Sequence, residues 1–395
     1  MAYAAARVTP PPAATERLFV STTPGLEPAL ERELRRLKLR VQRVPGGGGV
    51  EVEGPEGTHR RVNLESRVAS RVLLRVGAFA AADARALQRG LADVALESFV
   101  AKGEPVSVSS SSHRSRLGAG QLKELAARVW KVVTPDVNEG SGPLEVQLRL
   151  EGDVCTVSVD TSGELLYRRG YRQEVSRAPL RETLAAGVLE FADYRGDEPL
   201  WDPMCGSGTF VIEAALIAMG RAPGMMRERF GFEAFPHAFD AEAFASMKDG
   251  LRTREKVKPP HELRATDLNA GSLGVARRNA RRAGVLPFLT LERDDVTAPK
   301  HLPGATHGLL VTNPPYGKRV GEGGDLPSLY AALGTLLRER LPGWRGAVLV
   351  PAVRRGTPDV QLERALGLEP EDVFELDNGG IPLRLLLFAA SRQLR

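Results

Sequence analysis

The chain has 395 residues, of which 42% are hydrophobic and 26% charged, a composition typical of a globular protein with two or three domains. No stretch approaches the roughly 18–20 consecutive apolar residues of a membrane span, and the N-terminus lacks the apolar core of a signal peptide. We therefore expect neither membrane insertion nor secretion, and the formal net charge of +5 permits a polyanionic partner without requiring one.

The cysteine and histidine content argues against a disulfide framework and against a zinc site. Cys155 and Cys205 lie far apart in the sequence, and the 6 histidines are scattered along it. Disulfide scaffolds and zinc modules instead carry closely spaced cysteines or cysteine–histidine clusters. We expect a cytoplasmic protein that uses no metal ion.

The first half of the chain predicts a leader and two small α+β units. Residues 1–16 are rich in alanine and proline without periodicity, and we expect them to be disordered. Residues 17–80 predict strand, helix, strand, helix and strand in that order, with short turns. Residues 81–165 predict a second unit, with a helix, a strand, another helix and two final strands.

From residue 166 to the C-terminus the pattern predicts an α/β domain. Predicted strands and helices alternate, which indicates a doubly wound parallel sheet, and the last two strands form a pair. A stretch rich in proline, glycine and arginine, residues 219–260, is inserted between the first and second βα units. We expect this insertion to lie near the cleft and to face the substrate.

The segment DPMCGSGTF, residues 202–210, is a glycine-rich turn between an apolar strand and an apolar helix. Gly206 and Gly208 allow the backbone to approach a ligand and direct helix N–H groups at it, and the alternative is tight packing. Asp202, at the strand end, can accept a hydrogen bond from a ligand ammonium. The GK[ST] sequence of a phosphate-binding P-loop is absent. We expect Cys205 to pack rather than to act as a nucleophile.

Acidic residues follow the next two predicted strands. Asp267 is placed to bind the two hydroxyls of a ribose, and the alternative is a helix N-cap. Asp294 or Asp295 could accept from the amino group of an adenine, although either is also a common surface turn residue.

The sequence NPPY, residues 313–316, follows the apolar strand GLLVT. Two consecutive prolines remove two backbone donors and fix an extended path. Asn313 and the carbonyl of Pro314 then offer two acceptors, and Tyr316 offers a flat ring. This set suits the exocyclic NH₂ group of a planar base; the alternative is a turn that the prolines merely fix.

Together, DPMCGSGT, ATDLNA and NPPYG resemble the class I S-adenosylmethionine-dependent amino-methyltransferases. The stretch VDTSGELLYRRGYRQEVSRAPLRETLAAGVL, residues 159–189, is similar to the THUMP-domain RNA guanine-N2 methyltransferases. The segments GLEPALEREL, NLESRVASRVLLRVGAF and EAALIAMGRAPGMMRERFGFE share this similarity, which runs from about Phe19 to Phe388. These enzymes act on large-subunit ribosomal RNA or, in close relatives, on tRNA. NPPY alone is shared with adenine-N6 nucleic-acid enzymes and with glutamine methylases of proteins.

The resemblance implies a fold and a cofactor. A Rossmann-like class I methyltransferase domain (166–395) would follow a ferredoxin-like domain (17–80) and a THUMP domain (81–165) that grip RNA. The cofactor would be S-adenosylmethionine, with S-adenosylhomocysteine as its product. Asp267 would bind the ribose, Asp295 the adenine, and Thr183 would lie near the methionine carboxylate. The residues implied to line the cofactor are Thr183, Asp202, Gly206, Gly208, Asp267, Asp295 and Asn313.

For the target guanine, the resemblance implies contacts from Asn313, Pro314, Pro315 and Tyr316. Because the amino group of guanine is paired in a duplex, the base must be unpaired or flipped to reach Tyr316.

Two arginine clusters are candidates for RNA contact, since each phosphate contact adds affinity. The first is Arg168, Arg169 and Arg172, for which RNA binding or domain docking are both open. The second lies on one helix, where a solvated charged face is the alternative; it comprises Arg277, Arg278, Arg281 and Arg282.

The sequence thus predicts a methyltransferase acting on guanine N2, with ribosomal RNA favoured over tRNA as substrate. Two alternatives remain open. The first keeps the chemistry but moves it to adenine N6 in DNA or RNA. The second is a non-catalytic RNA-binding or assembly factor that retains the pocket.

Overall fold

The computed structural model describes residues 15–44, 46–100, 104–131, 144–173, 180–316, 325–354 and 357–390. The predicted leader, 1–16, lies outside these residues except for Thr15 and Glu16, which begin the first strand. Among the helices described, none is long and apolar enough to cross a membrane.

The N-terminal half forms one continuous sheet with helices on it. Its helices are α1 (Glu27–Arg36), α2 (Thr58–Glu65), α3 (Ala84–Ala92) and α4 (Ala119–Trp130). Its strands are β1 (Thr15–Ser21), β2 (Arg40–Arg43), β3 (Gly49–Pro55), β4 (Arg71–Ala80), β5 (Val106–His113), β6 (Leu144–Glu151) and β7 (Val154–Asp160). The strand order is β2-β3-β1-β4-β7-β6-β5, in which β5 and β6 are parallel and the other neighbours antiparallel. The two predicted units therefore share this sheet, and β4 pairs with β7 where they meet.

The predicted apolar stripe of α1 is buried. Leu26, Leu30 and Leu34 are fully inaccessible, and Leu37 is half-buried at the end of the helix. The helix has Pro28 in its first turn and Arg36 in its last turn, where the fixed proline φ and the helix dipole favour them. The short edge strand β2 was not predicted, because its sequence, RVQR, carries one apolar residue and is mostly exposed.

The C-terminal half is the predicted α/β domain. Its helices are α5 (Glu182–Phe191), α6 (Thr209–Ala218), α7 (Ala241–Arg252), α8 (Ala270–Arg282), α9 (Leu326–Thr335) and α10 (Val360–Leu366). Its strands are β8 (Leu200–Asp202), β9 (Leu263–Asp267), β10 (Leu289–Arg293), β11 (Gly308–Thr312), β12 (Trp344–Arg354), β13 (Thr357–Pro358), β14 (Asp372–Asp377) and β15 (Pro382–Phe388). The order is β10-β9-β8-β11-β12-β15-β14; the pairs from β10 to β12 are parallel, and β15 pairs antiparallel with β12 and β14. This order confirms the predicted fold class.

The helix α5 was not predicted. Every one of its residues is buried, including Glu182 and Glu190, and it packs on α6 and α1. A helix buried on all sides lacks the apolar stripe by which an amphipathic helix is recognised. It connects the two halves: a Cβ on Gly187 would lie 2.6 Å from Leu26 Cδ2 of the N-terminal half.

The insertion 219–260 does not lie where the sequence suggested. It leaves the end of α6 and enters the start of β9. Because a crossover helix runs back along the sheet, both points are at the amino edge of the strands, opposite the edge where ligands bind in such sheets. The insertion packs on α2 and on residues 160–168, so the expectation that it lies near the cleft was wrong.

We expect Gly334→Ala to destabilise the protein, although alanine usually favours a helix interior by about 0.5–1 kcal/mol. A Cβ at Gly334 of α9 would lie 1.7 Å from the carbonyl oxygen of Leu366, so α10 must move. In Gly250→Ala the same exchange on α7 meets no atom within 4 Å and should be neutral or stabilising. Urea unfolding of both variants checks this; equal stabilities would show that the α9–α10 contact is loose.

Candidate active site

The predicted site residues meet at the carboxyl edge of the parallel strands. Asp202 ends β8 and pairs with Ala265, and Asp267 ends β9 two residues further along. On the other side, β11 runs beside β8 and ends at Thr312, so Asn313 leaves the sheet at the same edge. The order of the strands thus brings together residues that are about a hundred positions apart in sequence.

Asp202 is a buried carboxyl group. It is 1% exposed, and its Oδ1 accepts a hydrogen bond of 3.2 Å from the Met204 N–H. Burial raises the pKa of Asp202 to about 8; the Met204 N–H opposes this rise, and the nearby Asp267 charge adds to it. A cationic group bound here would favour the ionised form, as expected for a residue that meets a ligand ammonium.

Asp267 holds the glycine-rich turn against β9. Its Oδ2 accepts from the Gly206 N–H and its Oδ1 from the Asn269 N–H, both at 2.8 Å. The N-cap of α8 is Asn269, whose Oδ1 accepts from Gly271 N and Ser272 N. The alternative interpretation of Asp267 as the N-cap was therefore wrong, and its half-buried carboxylate remains at the strand end where a ribose is expected.

The two glycines of the turn differ in what surrounds them. Both have positive φ, +53° at Gly206 and +82° at Gly208, which favours glycine at each position. A Cβ on Gly208 would lie 3.0 Å from Ala276 Cβ, so this glycine permits tight packing of α6 against α8. A Cβ on Gly206 would meet no atom within 4 Å, which leaves space beside the turn. Ligand approach thus fits Gly206, and packing fits Gly208.

The structure also separates Asp294 from Asp295. Asp294 is 6% exposed, and its carboxylate accepts from the backbone N–H groups of Asp295 and Lys300. These bonds hold the turn after β10 together. Asp295 is half-buried, and its Oδ1 accepts from Thr297 N and Oγ1. Of the two, Asp295 is the better candidate for a ligand contact.

Cys205 has the environment of a packing residue. It is 6% exposed, and its N–H donates to the Thr266 carbonyl at 2.9 Å. Burial raises the pKa of its thiol well above the usual value, so the nucleophilic thiolate is disfavoured.

Buried polar atoms near this edge lack hydrogen-bond partners among the described residues, and two of them bear on a bound ligand. They are Thr183 Oγ1, in the first turn of α5, and Asn313 Oδ1. Thr183 is fully inaccessible, Asn313 is half-buried, and Pro314 and Tyr316 beside it are buried. Buried polar groups are nearly always satisfied, so such atoms call for a ligand that satisfies them. The residues present therefore fit a bound cofactor.

The first arginine cluster requires a correction. Arg169 is 1% exposed: its Nε bonds Glu213 Oε1 at 2.9 Å and its Nη2 bonds the Arg67 carbonyl at 2.7 Å. The side chain of Arg172 is 7% exposed, pairs with Glu182, and donates to the Leu180 carbonyl. Guanidinium groups used in this way cannot reach a phosphate, so the prediction of RNA contact was wrong for these two. The docking alternative fits Arg169, which bonds Arg67 of the N-terminal half and Glu213 of the C-terminal half. Of the three arginines, only Arg168 is exposed.

Sequence reasoning missed two polar residues that build the site's support. Glu213, on α6, is fully inaccessible and accepts from both Arg169 and the Tyr171 hydroxyl. Asn279, on α8, is also inaccessible and donates to the Ser207 carbonyl at 3.2 Å, beneath the glycine turn. A signal for Asn279 was available, since it shares the buried face of α8 with Ala276 and Ala280. Among the residues described, no group of three His, Cys, Asp or Glu side chains could hold a metal ion.

We expect Arg169→Met to destabilise the protein by about 3–5 kcal/mol, because it leaves Glu213 buried without its cation. The matched control is Arg168→Met, which removes an exposed arginine and should change stability by less than about 0.5 kcal/mol. Urea unfolding measures both. A stable Arg169→Met protein that binds RNA weakly would contradict the docking role.

We expect Asp202 to make stability depend on pH in the cofactor-free protein. Its carboxyl ionises near 3.8 when unfolded and at about 8 when folded, so the folded state holds an extra proton between these values. The free energy of unfolding should therefore fall as pH rises through this window, by at most about 1.4 kcal/mol per pH unit. Asp202→Asn should lack this contribution. Parallel slopes for both proteins in urea titrations from about pH 5 to about pH 8 would contradict it.

Comparison with known proteins supports the methyltransferase fold. Among solved structures, SMU.472 in complex with SAH has 28% identity and a TM-score of 0.80, and covers 96% of this chain and 99% of that one. A possible methylase from Clostridium difficile 630 has 26% identity and a TM-score of 0.81, and covers 97% of this chain and 100% of that one. These comparisons support S-adenosylmethionine as the cofactor.

Curated relatives extend the similarity across most of the chain. "Ribosomal RNA large subunit methyltransferase K/L" of Syntrophotalea carbinolica is 35% identical over 95% of this chain and 54% of the relative. The protein of the same name from Magnetococcus marinus is 35% identical over 94% and 52%. The chain thus spans about half the length of these relatives.

Two family models match the chain. One, described as the RlmL ferredoxin-like domain, matches residues 17–73, which confirms the predicted ferredoxin-like domain; the THUMP assignment stays a prediction. The other, described as RMKL-like, methyltransferase domain, matches residues 169–383, more than half of the chain. The chain therefore belongs to the RMKL-like methyltransferase family.

Proposed function

We propose that this protein transfers the methyl group of S-adenosylmethionine to the exocyclic N2 of a guanine in large-subunit ribosomal RNA. The observation that carries this proposal is Asn313 Oδ1, an acceptor without a partner among the described residues, at the end of β11 beside two prolines and a buried tyrosine. The names of the curated relatives support ribosomal RNA as the substrate.

The cofactor would be held by the carboxyl edge of the sheet. Asp202 would accept from its ammonium, Asp267 from its ribose hydroxyls and Asp295 from its adenine amino group. Thr183 Oγ1 would donate to its carboxylate, which the N-terminus of α5 also favours. When bound, S-adenosylmethionine supplies an electrophilic methyl group.

The chain's own contribution to the chemistry is to orient an amine. Asn313 Oδ1 and the Pro314 carbonyl would each accept one N–H of the guanine NH₂ group, and the Tyr316 ring would stack on the base. Accepting both N–H bonds draws the nitrogen lone pair out of conjugation with the ring. That lone pair would then be free to attack the methyl group that bound S-adenosylmethionine would supply, leaving S-adenosylhomocysteine, and the amine would release one proton to solvent. The neutral amine is the nucleophile, so no strong base is required.

The N-terminal half would hold the RNA. We propose that its first unit, a ferredoxin-like domain, and its second unit, a THUMP domain at 81–165, bind structured RNA outside the active site. The exposed Arg168 is the remaining candidate of the first arginine cluster for a phosphate contact.

We expect Asn313→Ala to lower turnover by roughly 100-fold or more, since one positioned hydrogen-bonding group in an active site is worth that much. Cofactor affinity should stay near that of the wild type, because Asn313 is assigned to the base. Asn313→Asp keeps an acceptor at the same place and should retain more activity than the alanine variant. Equal losses of turnover and of cofactor affinity would show that Asn313 serves the cofactor instead.

The proposal is tested with radiolabelled S-adenosylmethionine and unmodified ribosomal RNA, tRNA and DNA offered in parallel. Digestion should place the label in N2-methylguanosine from the ribosomal pool. Labelled N2-methylguanosine from the tRNA pool would make tRNA the substrate. Label in N6-methyladenosine would show that adenine, not guanine, is the target base. No label in any pool, with cofactor bound normally, would favour a non-catalytic RNA-binding factor.

A further inference from the structure

The insertion 219–260 is bonded to the chain segment that joins the two halves of the protein. Arg227 donates from Nη1 to the carbonyls of Leu165 and Arg168 at 3.0 and 2.9 Å. From Nη2 it donates to the carbonyls of Ser162 and Glu164 at 3.4 and 2.9 Å. One guanidinium thus binds four backbone carbonyls just after β7, a strand in the middle of the N-terminal sheet.

A second contact lies beside Arg227. The Phe232 N–H donates to the Thr161 carbonyl at 3.0 Å. A Cβ on Gly231 would lie 2.9 Å from Gly163 N and 3.2 Å from the Asp160 carbonyl oxygen, so the two backbones touch. The insertion therefore fits the end of β7 with no room for a side chain.

An aromatic cluster extends the contact onto the helices of the N-terminal half. Phe232 lies edge-on to His59 of α2 at 5.4 Å, and Phe235 lies edge-on to Phe99 at 5.2 Å. Within the insertion, Phe232 packs on further rings, which are Phe230, Phe239 and Phe244. Arg60 of α2 also donates to the Ala238 carbonyl at 2.9 Å. Edge-on ring contacts of this kind stabilise an interface beyond the area that they bury, so this surface is a packed one.

We infer that the insertion fixes the direction of the N-terminal sheet relative to the catalytic edge, with Arg227 and Gly231 as positioning residues for RNA. The insertion follows α6 directly in the chain, and α6 begins at the glycine-rich turn of the site. The insertion is therefore part of the catalytic half. An RNA held by the N-terminal sheet reaches Asn313 at high effective concentration only if the catalytic half and the sheet keep a fixed orientation relative to each other. This inference rests on the proposed function and adds how a structured RNA is presented to it.

Arg227→Met removes the four carbonyl contacts while keeping an apolar stem of similar length. We expect a fall of about tenfold to a hundredfold in kcat/KM on a full-length large-subunit RNA transcript, since small misplacements of a substrate have costs of this order. On a short hairpin that carries only the methylated guanine and its neighbours, kcat/KM should stay within about twofold of the wild type, and so should cofactor affinity. Arg227→Lys, with three donors, should restore part of the loss.

Gly231→Ala is an independent variant that pushes the same two segments apart without removing a charge. Matched controls lie in the same insertion: Arg252→Met removes an exposed arginine that pairs with Asp249 at the surface, and Gly250→Ala adds a Cβ in open space. Both controls should show the wild-type ratio of activities on the two RNAs.

The outcomes separate the two proposals. If the wild type methylates both RNAs and Arg227→Met and Gly231→Ala lose both activities equally, or neither, the positioning role is wrong while the proposed function stands. If the wild type methylates no RNA, the proposed function fails and the positioning role fails with it. A selective loss on the long transcript in both variants, with normal controls, supports the inference.

Discussion

The ion pair between Arg169 and Glu213 is the interaction on which the arrangement of the protein depends. The two side chains are 1% and 0% exposed, and they join the chain that leaves the N-terminal sheet to α6, the helix that follows the glycine-rich turn. Arg169 also bonds the Arg67 carbonyl, and the Tyr171 hydroxyl shares the Glu213 oxygen. A buried pair of this kind costs desolvation, which excellent geometry and further hydrogen bonds must offset. Neither charge is stable in this buried place without the other, so the pair links the N-terminal half, for which RNA binding is proposed, to the catalytic half.

Much of the fold could be predicted because its signals are local. The apolar stripe of α1, the alternation in β5 and β6 and the order of strands and helices after residue 166 are all readable from periodicity. The helix α5 could not be predicted, since burial on every side removes the periodic pattern of apolar residues. The strand β2 is too short and too polar to show such a pattern. The union of the two N-terminal units in one sheet depends on the pairing of β4 with β7, which no local pattern encodes.

Part of the candidate site could likewise be predicted from the sequence, and part could not. The positions of Asp202, Asp267 and Asn313 follow from their places at strand ends, because parallel strands expose their carboxyl ends together. The contacts that these and neighbouring residues make could not be predicted. Asn269 rather than Asp267 caps α8. Gly208 faces Ala276, whereas Gly206 faces open space. The arginines were the hardest case. Their sequence signal, charge in a cluster, is the same for an exposed phosphate contact and for a buried pair with a distant glutamate such as Glu213.

The continuous N-terminal sheet has a consequence for how the chain can be divided. A fragment that ended after β4 would keep the ferredoxin-like order of strands but would expose the full edge along which β7 now pairs, from Leu73 to Ala80. Unpaired edges of this length are templates for intermolecular strand pairing. Because β7 begins about seventy residues after the end of β4, this edge also stays open for a time during synthesis. The second unit thus covers an edge of the first that would otherwise be open to such pairing, and the two units form one sheet across their boundary in the sequence.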